Sequence, residues 1–166
     1  MTQLFWIDGP WRGRLAIAAR PRGGDWLEDE IRSWKLAGIG AVVSLLTEDE
    51  KRELMLEDEQ RYCDQQGIQF YSLPIPDRGV PASYADTARA LEKFGSELVQ
   101  GKNFMIHCRQ GIGRSALIAA SLLIESGLTP AAAVESVEKA RRLPVPETAE
   151  QRAWIESFRS VLRQEH

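Results

Sequence analysis

Apolar residues along this chain follow two different patterns. Short runs rich in them, Leu4-Phe5-Trp6-Ile7, Arg14 to Ala18, Ala41 to Leu46, Ile68 to Leu73 and Asn103 to His107, read as strands, those starting at Ala41 and Ile68 as buried ones. Between them the spacing turns helical. Asp25 is placed to cap a helix running to about Ala37, with Leu27, Ile31 and Trp34 on one face and Gly38 at its end. The charged segment from Glu48 to Gln66 reads as one helix stopped by Gly67, although its early apolar stripe is thin. Further helices are expected from Ser83 to about Gln100, from Ser115 to Ser126, from Thr129-Pro130 onward, and from about Thr148 to Arg163. Pro74 to Pro81, with three prolines among eight residues, is an obligate loop. Strands alternating with helices predict an α/β fold, with a central, mostly parallel sheet of about four to five strands flanked by helices. The chain shows no repeat, linker or low-complexity tract, so residues 1–166 are expected to form a single domain.

Composition narrows the possible partners. Hydrophobic residues make up 43% and charged residues 27%, the balance of an ordinary globular domain. A net charge of -3 argues against a chain that coats nucleic acid, but 16 arginines against 5 lysines favour local, bidentate binding of an anion. The two cysteines, Cys63 and Cys108, form no disulfide framework. The chain starts without a basic, apolar leader, and its longest weakly polar stretch, Ala116 to Ile124, is nine residues, far short of a membrane span. A cytoplasmic monomer is the expectation.

One segment carries chemistry. His107-Cys108-Arg109-Gln110-Gly111-Ile112-Gly113-Arg114-Ser115 lies between a predicted strand and a predicted helix. A loop in that position turns its N–H groups inward and adds the positive end of the helix dipole, which suits a phosphate. Gly111 and Gly113 permit the backbone of such an anion nest, to which the loop amides from Arg109 to Gly113 contribute. Arg114, six residues after Cys108, can return to the mouth and offer two parallel donors. A cysteine in that floor should be a thiolate well below the free value of about 8.5, and hence a nucleophile at neutral pH. The segment reads as a covalent phosphoryl-transfer site. Cys63, in a helical pattern without basic neighbours, reads as packing.

These residues match the His-Cys-x5-Arg-Ser/Thr signature, and the chain resembles the cysteine-dependent protein tyrosine phosphatase superfamily, in its compact VH1-like dual-specificity branch, from about Trp11 to the last helix. The resemblance implies that Cys108 attacks phosphorus, Arg114 clamps the equatorial oxygens, Ser115 assists departure of the sulfur, and His107 orders the loop. It also implies an acid at Asp77, in Pro74-Ile75-Pro76-Asp77, for protonating the leaving oxygen. Gln151 resembles a glutamine that some members use near the hydrolytic water. Arg109, Arg78 and Arg142 could widen the anionic surface, Arg109 from within the loop. No metal or cofactor is expected. The substrate is expected to be a phosphorylated protein, bearing phosphotyrosine and also phosphoserine or phosphothreonine, or a small phosphomonoester. Phosphoinositide hydrolysis, non-catalytic phosphate binding and redox or arsenate chemistry are the alternatives.

Overall fold

A computed structural model describes residues 1–158. Five strands form one sheet: β1 (Phe5–Ile7), β2 (Leu15–Ala18), β3 (Ala41–Ser44), β4 (Gln69–Ser72) and β5 (Phe104–His107). Their order is β1-β2-β5-β3-β4, with only β1 antiparallel to its neighbour. The mostly parallel α/β sheet read from the sequence is therefore present. β5 lies at the centre, and each of its residues is buried, as expected of a parallel strand covered on both faces.

Helices α1 (Leu27–Leu36), α2 (Glu48–Glu53) and α3 (Glu59–Gln65) precede β4. After it come α4 (Tyr84–Val99), α5 (Arg114–Glu125), α6 (Pro130–Arg141) and α7 (Ala149–Ser157). Two buried clusters divide the strand side chains by face. Leu15, Ile17, Val43, Phe104 and Ile106 pack with Leu91, Leu98, Leu117 and Val137. Ala16, Ala18, Val42 and Met105 pack instead with Leu27, Ile31, Trp34 and Cys63. Alternation along each strand thus supplies both cores.

Four local readings change. Asp25 caps nothing: it sits inside a 3-10 turn, Gly24–Trp26, whose first N–H donates to the Met55 carbonyl. The Glu48 to Gln66 segment is two helices, broken where Met55 takes φ 56°. The break turns Leu56 inward until 1% of it is exposed, giving this thinly apolar stretch a buried anchor. The strand from Ile68 is half exposed rather than buried, because β4 is an edge with one neighbour. The last helix ends at Ser157, where Phe158 becomes extended, and the remainder of its predicted span lies outside the described residues.

Candidate active site

The parallel strands place one loop at the middle of the molecule. Ala18, His107 and Ser44 stand in register at the ends of β2, β5 and β3, and the chain leaves β5 at Cys108. It re-enters helix at Arg114, with no side chain capping α5 and no acidic residue in its first turn. The N–H groups and the positive dipole end of α5 therefore face the loop. Gly111 donates its N–H to Cys108 Sγ at 3.2 Å, and Ser115 Oγ lies 3.3 Å from the same sulfur. Gly111 has φ 72°, and a Cβ there would stand 2.7 Å from the Ala18 carbonyl carbon. Only glycine fits that approach.

Arg114 is 2% exposed and held on three sides. Its Nη1 and Nη2 donate to the two carboxylate oxygens of Glu50 at 2.7 and 2.9 Å. Nη1 also reaches the Ile75 carbonyl at 2.9 Å, and Nη2 the Asp77 Oδ1 at 3.2 Å. Burial works against the Arg114 charge, but the bonds to Glu50 outweigh it and raise the guanidinium above its usual value. The same contest fixes Glu50. Burial pushes its carboxyl up, while hydrogen bonds from Arg114 and Thr47 and the Arg114 charge pull it down to about 2. Glu50 was not foreseen from the sequence. It closes a capping box with Thr47 at the start of α2, and the pattern Thr47-Glu48-Asp49-Glu50 directly after a buried strand was the available signal.

Asp77 enters from the other side. The main chain after β4 continues along β3, Leu73 N–H to Ser44 and Ile75 N–H to Leu45, then turns tightly where Gly79 N–H meets the Pro76 carbonyl at 2.8 Å. This turn holds Asp77 with its side chain 54% exposed beside Arg114. Arg78, at φ 61°, pairs with Glu147 at 3.3 Å. Cys108, Arg114, Asp77, Arg78, Arg109, Gln110, Gly113 and Glu147 enclose a cavity of about 170 Å³.

The other expected residues separate. Gln110 and Arg109 line the cavity, but Arg109 folds onto α2, bonding Glu50 at 3.3 Å and Glu53 at 3.1 Å, so it adds no unneutralised charge. Ile112 packs against the core. His107 is fully buried and bonds Glu59 on α3 at 2.6 Å through Nε2. Arg142 ends α6 with φ 60° and does not line the cavity. Gln151 is fully buried and is not part of the cavity lining. Its Oε1 accepts from the Glu147 and Thr148 N–H groups and its Nε2 donates to the Gly79 carbonyl at 3.1 Å, so its amide is occupied at both ends. A Cβ on Gly113 would come within 3.1 Å of that amide. Cys63 is wholly buried, and burial, with Glu59 and Asp64 adding to it, pushes its thiol well up.

Known proteins resemble this one throughout the fold. The family model described as "Polymorphic toxin system, DSP-PTPase phosphatase" matches residues 16–128. Cyclin-dependent kinase inhibitor 3 of Rattus norvegicus is 28% identical over 138 residues, 82% of this chain. The chain spans 65% of the length of that relative. Among solved structures, the kinase associated phosphatase with its catalytic cysteine replaced by serine superposes with a TM-score of 0.87 at 23% identity, covering 98% of this chain and 96% of that one. The active form of Tk-PTP superposes at 0.72 with 28% identity, covering 92% and 95%. With its family model matching most of the chain across the signature loop, the protein belongs to the DSP-PTPase phosphatase family of polymorphic toxin systems, within the cysteine-dependent protein tyrosine phosphatase superfamily.

Proposed function

We propose that this chain hydrolyses phosphotyrosine, phosphoserine and phosphothreonine on proteins through a phosphocysteine intermediate. The observation that carries this reading is the convergence of Cys108, Arg114 and Asp77 on one small cavity at the open N-terminus of α5. Cys108 Sγ bonds to phosphorus as the bond to the ester oxygen breaks, and Asp77 gives that oxygen its proton. A water then attacks phosphorus, Asp77 takes its proton, and the sulfur leaves with Ser115 donating to it. Of the N–H groups of Arg114, Glu50 and Ile75 occupy three, and Asp77 a fourth. Nε–H and the Nη2–H now on Asp77 are the pair that grips two phosphate oxygens when the phosphate enters.

Mixed specificity follows from the walls. Asp77 stands half exposed on a tight turn at the cavity, which favours access for short alkyl phosphates as well as aryl ones. Arg109, neutralised by Glu50 and Glu53, brings no free charge for an inositol headgroup. Gln151 serves as a positioning residue in this account, tying the turn that bears Asp77 to the start of α7 beside Gly113.

The test is hydrolysis of para-nitrophenyl phosphate and of phosphopeptides from pH 5 to 8, with EDTA, for wild type and Cys108→Ser. Activity that survives EDTA and vanishes in the variant supports the reading. Activity retained by Cys108→Ser, or none in reduced wild type, contradicts it.

A further inference from the structure

Three arginines and two carboxylates line the cavity of Cys108, and the pairings among them are not equivalent. Arg114 is held by Glu50, and Arg109 by Glu50 and Glu53, acids on α2 that do not themselves line the cavity. Arg114 also meets Asp77, whose carboxyl already has a task in the proposed hydrolysis. Glu147 is left over. No step of that hydrolysis needs it, yet it stands in the wall of a cavity that receives an anion.

Its place is fixed from the main chain. Glu147 donates its N–H to Gln151 Oε1 at 3.1 Å, directly ahead of the capping box that starts α7. The two carboxylate oxygens then point to different neighbours. Oε2 lies 3.3 Å from Arg78 Nη1, and Oε1 comes within 3.0 Å of where a Cβ on Gly113 would stand. Gly113 is the last loop residue before α5, so Oε1 stands beside the anion nest. A negative charge there opposes a bound phosphate unless it is balanced. Arg78 balances it, from the same turn that bears Asp77. The Arg78 and Glu147 side chains are 62% and 28% exposed, against 2% and 9% for Arg114 and Glu50. Their charges therefore act through partly solvated space, and the effect of each on an anion in the cavity is a few-fold one.

We propose that Glu147 sets the affinity of the catalytic cavity for phosphate, by keeping Arg78 from becoming a further phosphate ligand and by placing its own charge against the anion. The inference rests on the phosphatase reading and deepens it. Hydrolysis leaves inorganic phosphate in the same nest of N–H groups, gripped by Arg114. A free arginine on the wall would hold that product longer and delay the next turnover. Neutralised by Glu147, Arg78 borders the site without adding to its charge, and the product leaves. The hold on the substrate phosphate is correspondingly weaker, because both anions meet the same wall.

Competitive inhibition by inorganic phosphate tests this, at fixed pH and ionic strength with para-nitrophenyl phosphate as substrate, on wild type, Glu147→Gln, Arg78→Met and the double variant. The two single variants should move in opposite directions. Glu147→Gln leaves an added positive charge on the wall and should tighten phosphate by about fivefold, whereas Arg78→Met leaves a negative one and should weaken it by about as much. The double variant lacks both charges and should return to within about twofold of wild type. Weaker inhibition in both single variants would mark the pair as a brace for the Asp77 turn and overturn the inference, as would equal constants in all four proteins. Either result leaves the phosphatase reading intact. Phosphate that inhibits none of the four, wild type included, overturns that reading of the cavity and the inference with it.

Discussion

Cys108 and Cys63 are the same residue type, both buried, at 3% and 0% exposure, on opposite faces of one sheet. What differs is what surrounds each sulfur. Cys108 meets a main-chain N–H, a hydroxyl, the open end of α5 and the charge of Arg114. Cys63 meets apolar side chains and the charges of Glu59 and Asp64, which burial amplifies. Burial is common to both, so it does not distinguish them. The sign of the nearby charge, and the number of donors aimed at the sulfur, separate the cysteine proposed as nucleophile from the one that packs.

The largest expected effect breaks the contrast outright. Cys108→Ser should lower turnover by at least about 10⁴-fold, whereas Cys63→Ala should keep kcat within about threefold and lower stability by about 1–2 kcal/mol. Kinetics and chemical denaturation on both variants check the pair. Asp77→Ala comes next: it should slow alkyl phosphates by about 10²–10⁴-fold and para-nitrophenyl phosphate much less, because only poor leaving groups need the proton. Equal slowing of both substrates would remove Asp77 from the acid role.

A smaller effect sharpens the comparison from the charge side. Glu50→Gln leaves Arg114 buried with half its support, and should lower stability near pH 7 by about 3 kcal/mol. Glu50 is held at about 2, below its ordinary value, so its contribution is complete above about pH 4.5 and is lost as pH falls toward 2. Thermal unfolding of wild type and Glu50→Gln should differ most at neutral pH and converge in acid. A gap independent of pH would contradict the assignment. The smallest effect is chemical: iodoacetate at neutral pH should label Cys108 in the native protein and Cys63 only after unfolding.

The catalytic loop was legible because its meaning is local. Cysteine, two glycines and arginine fall within seven consecutive positions between a strand and a helix, and each choice answers to the same short stretch of backbone. For Asp77 the prolines marked only the loop, and the role proposed for it came from the resemblance. Glu50 was not legible, since its role exists only when α2 and α5 meet, 64 residues apart in sequence. The break at Met55 was equally hidden, for a non-glycine residue at φ 56° gives no signal in composition. Gln151 could be placed on a helix but not assigned a partner, because the Gly79 carbonyl it holds lies 72 residues away. Arg109, neutralised by Glu50 and Glu53, and Arg141, which meets no carboxylate among the described residues, look alike in sequence and differ in which acids the fold brings to them.

The most direct measurement of the central claim is to trap the intermediate. The protein is mixed with a phosphopeptide, quenched in acid within milliseconds, digested and weighed fragment by fragment. One added phosphate on the fragment containing Cys108, and more of it when Ser115→Ala slows the second step, is the predicted result. Phosphate on the Cys63 fragment, or on none while turnover continues, would contradict the account.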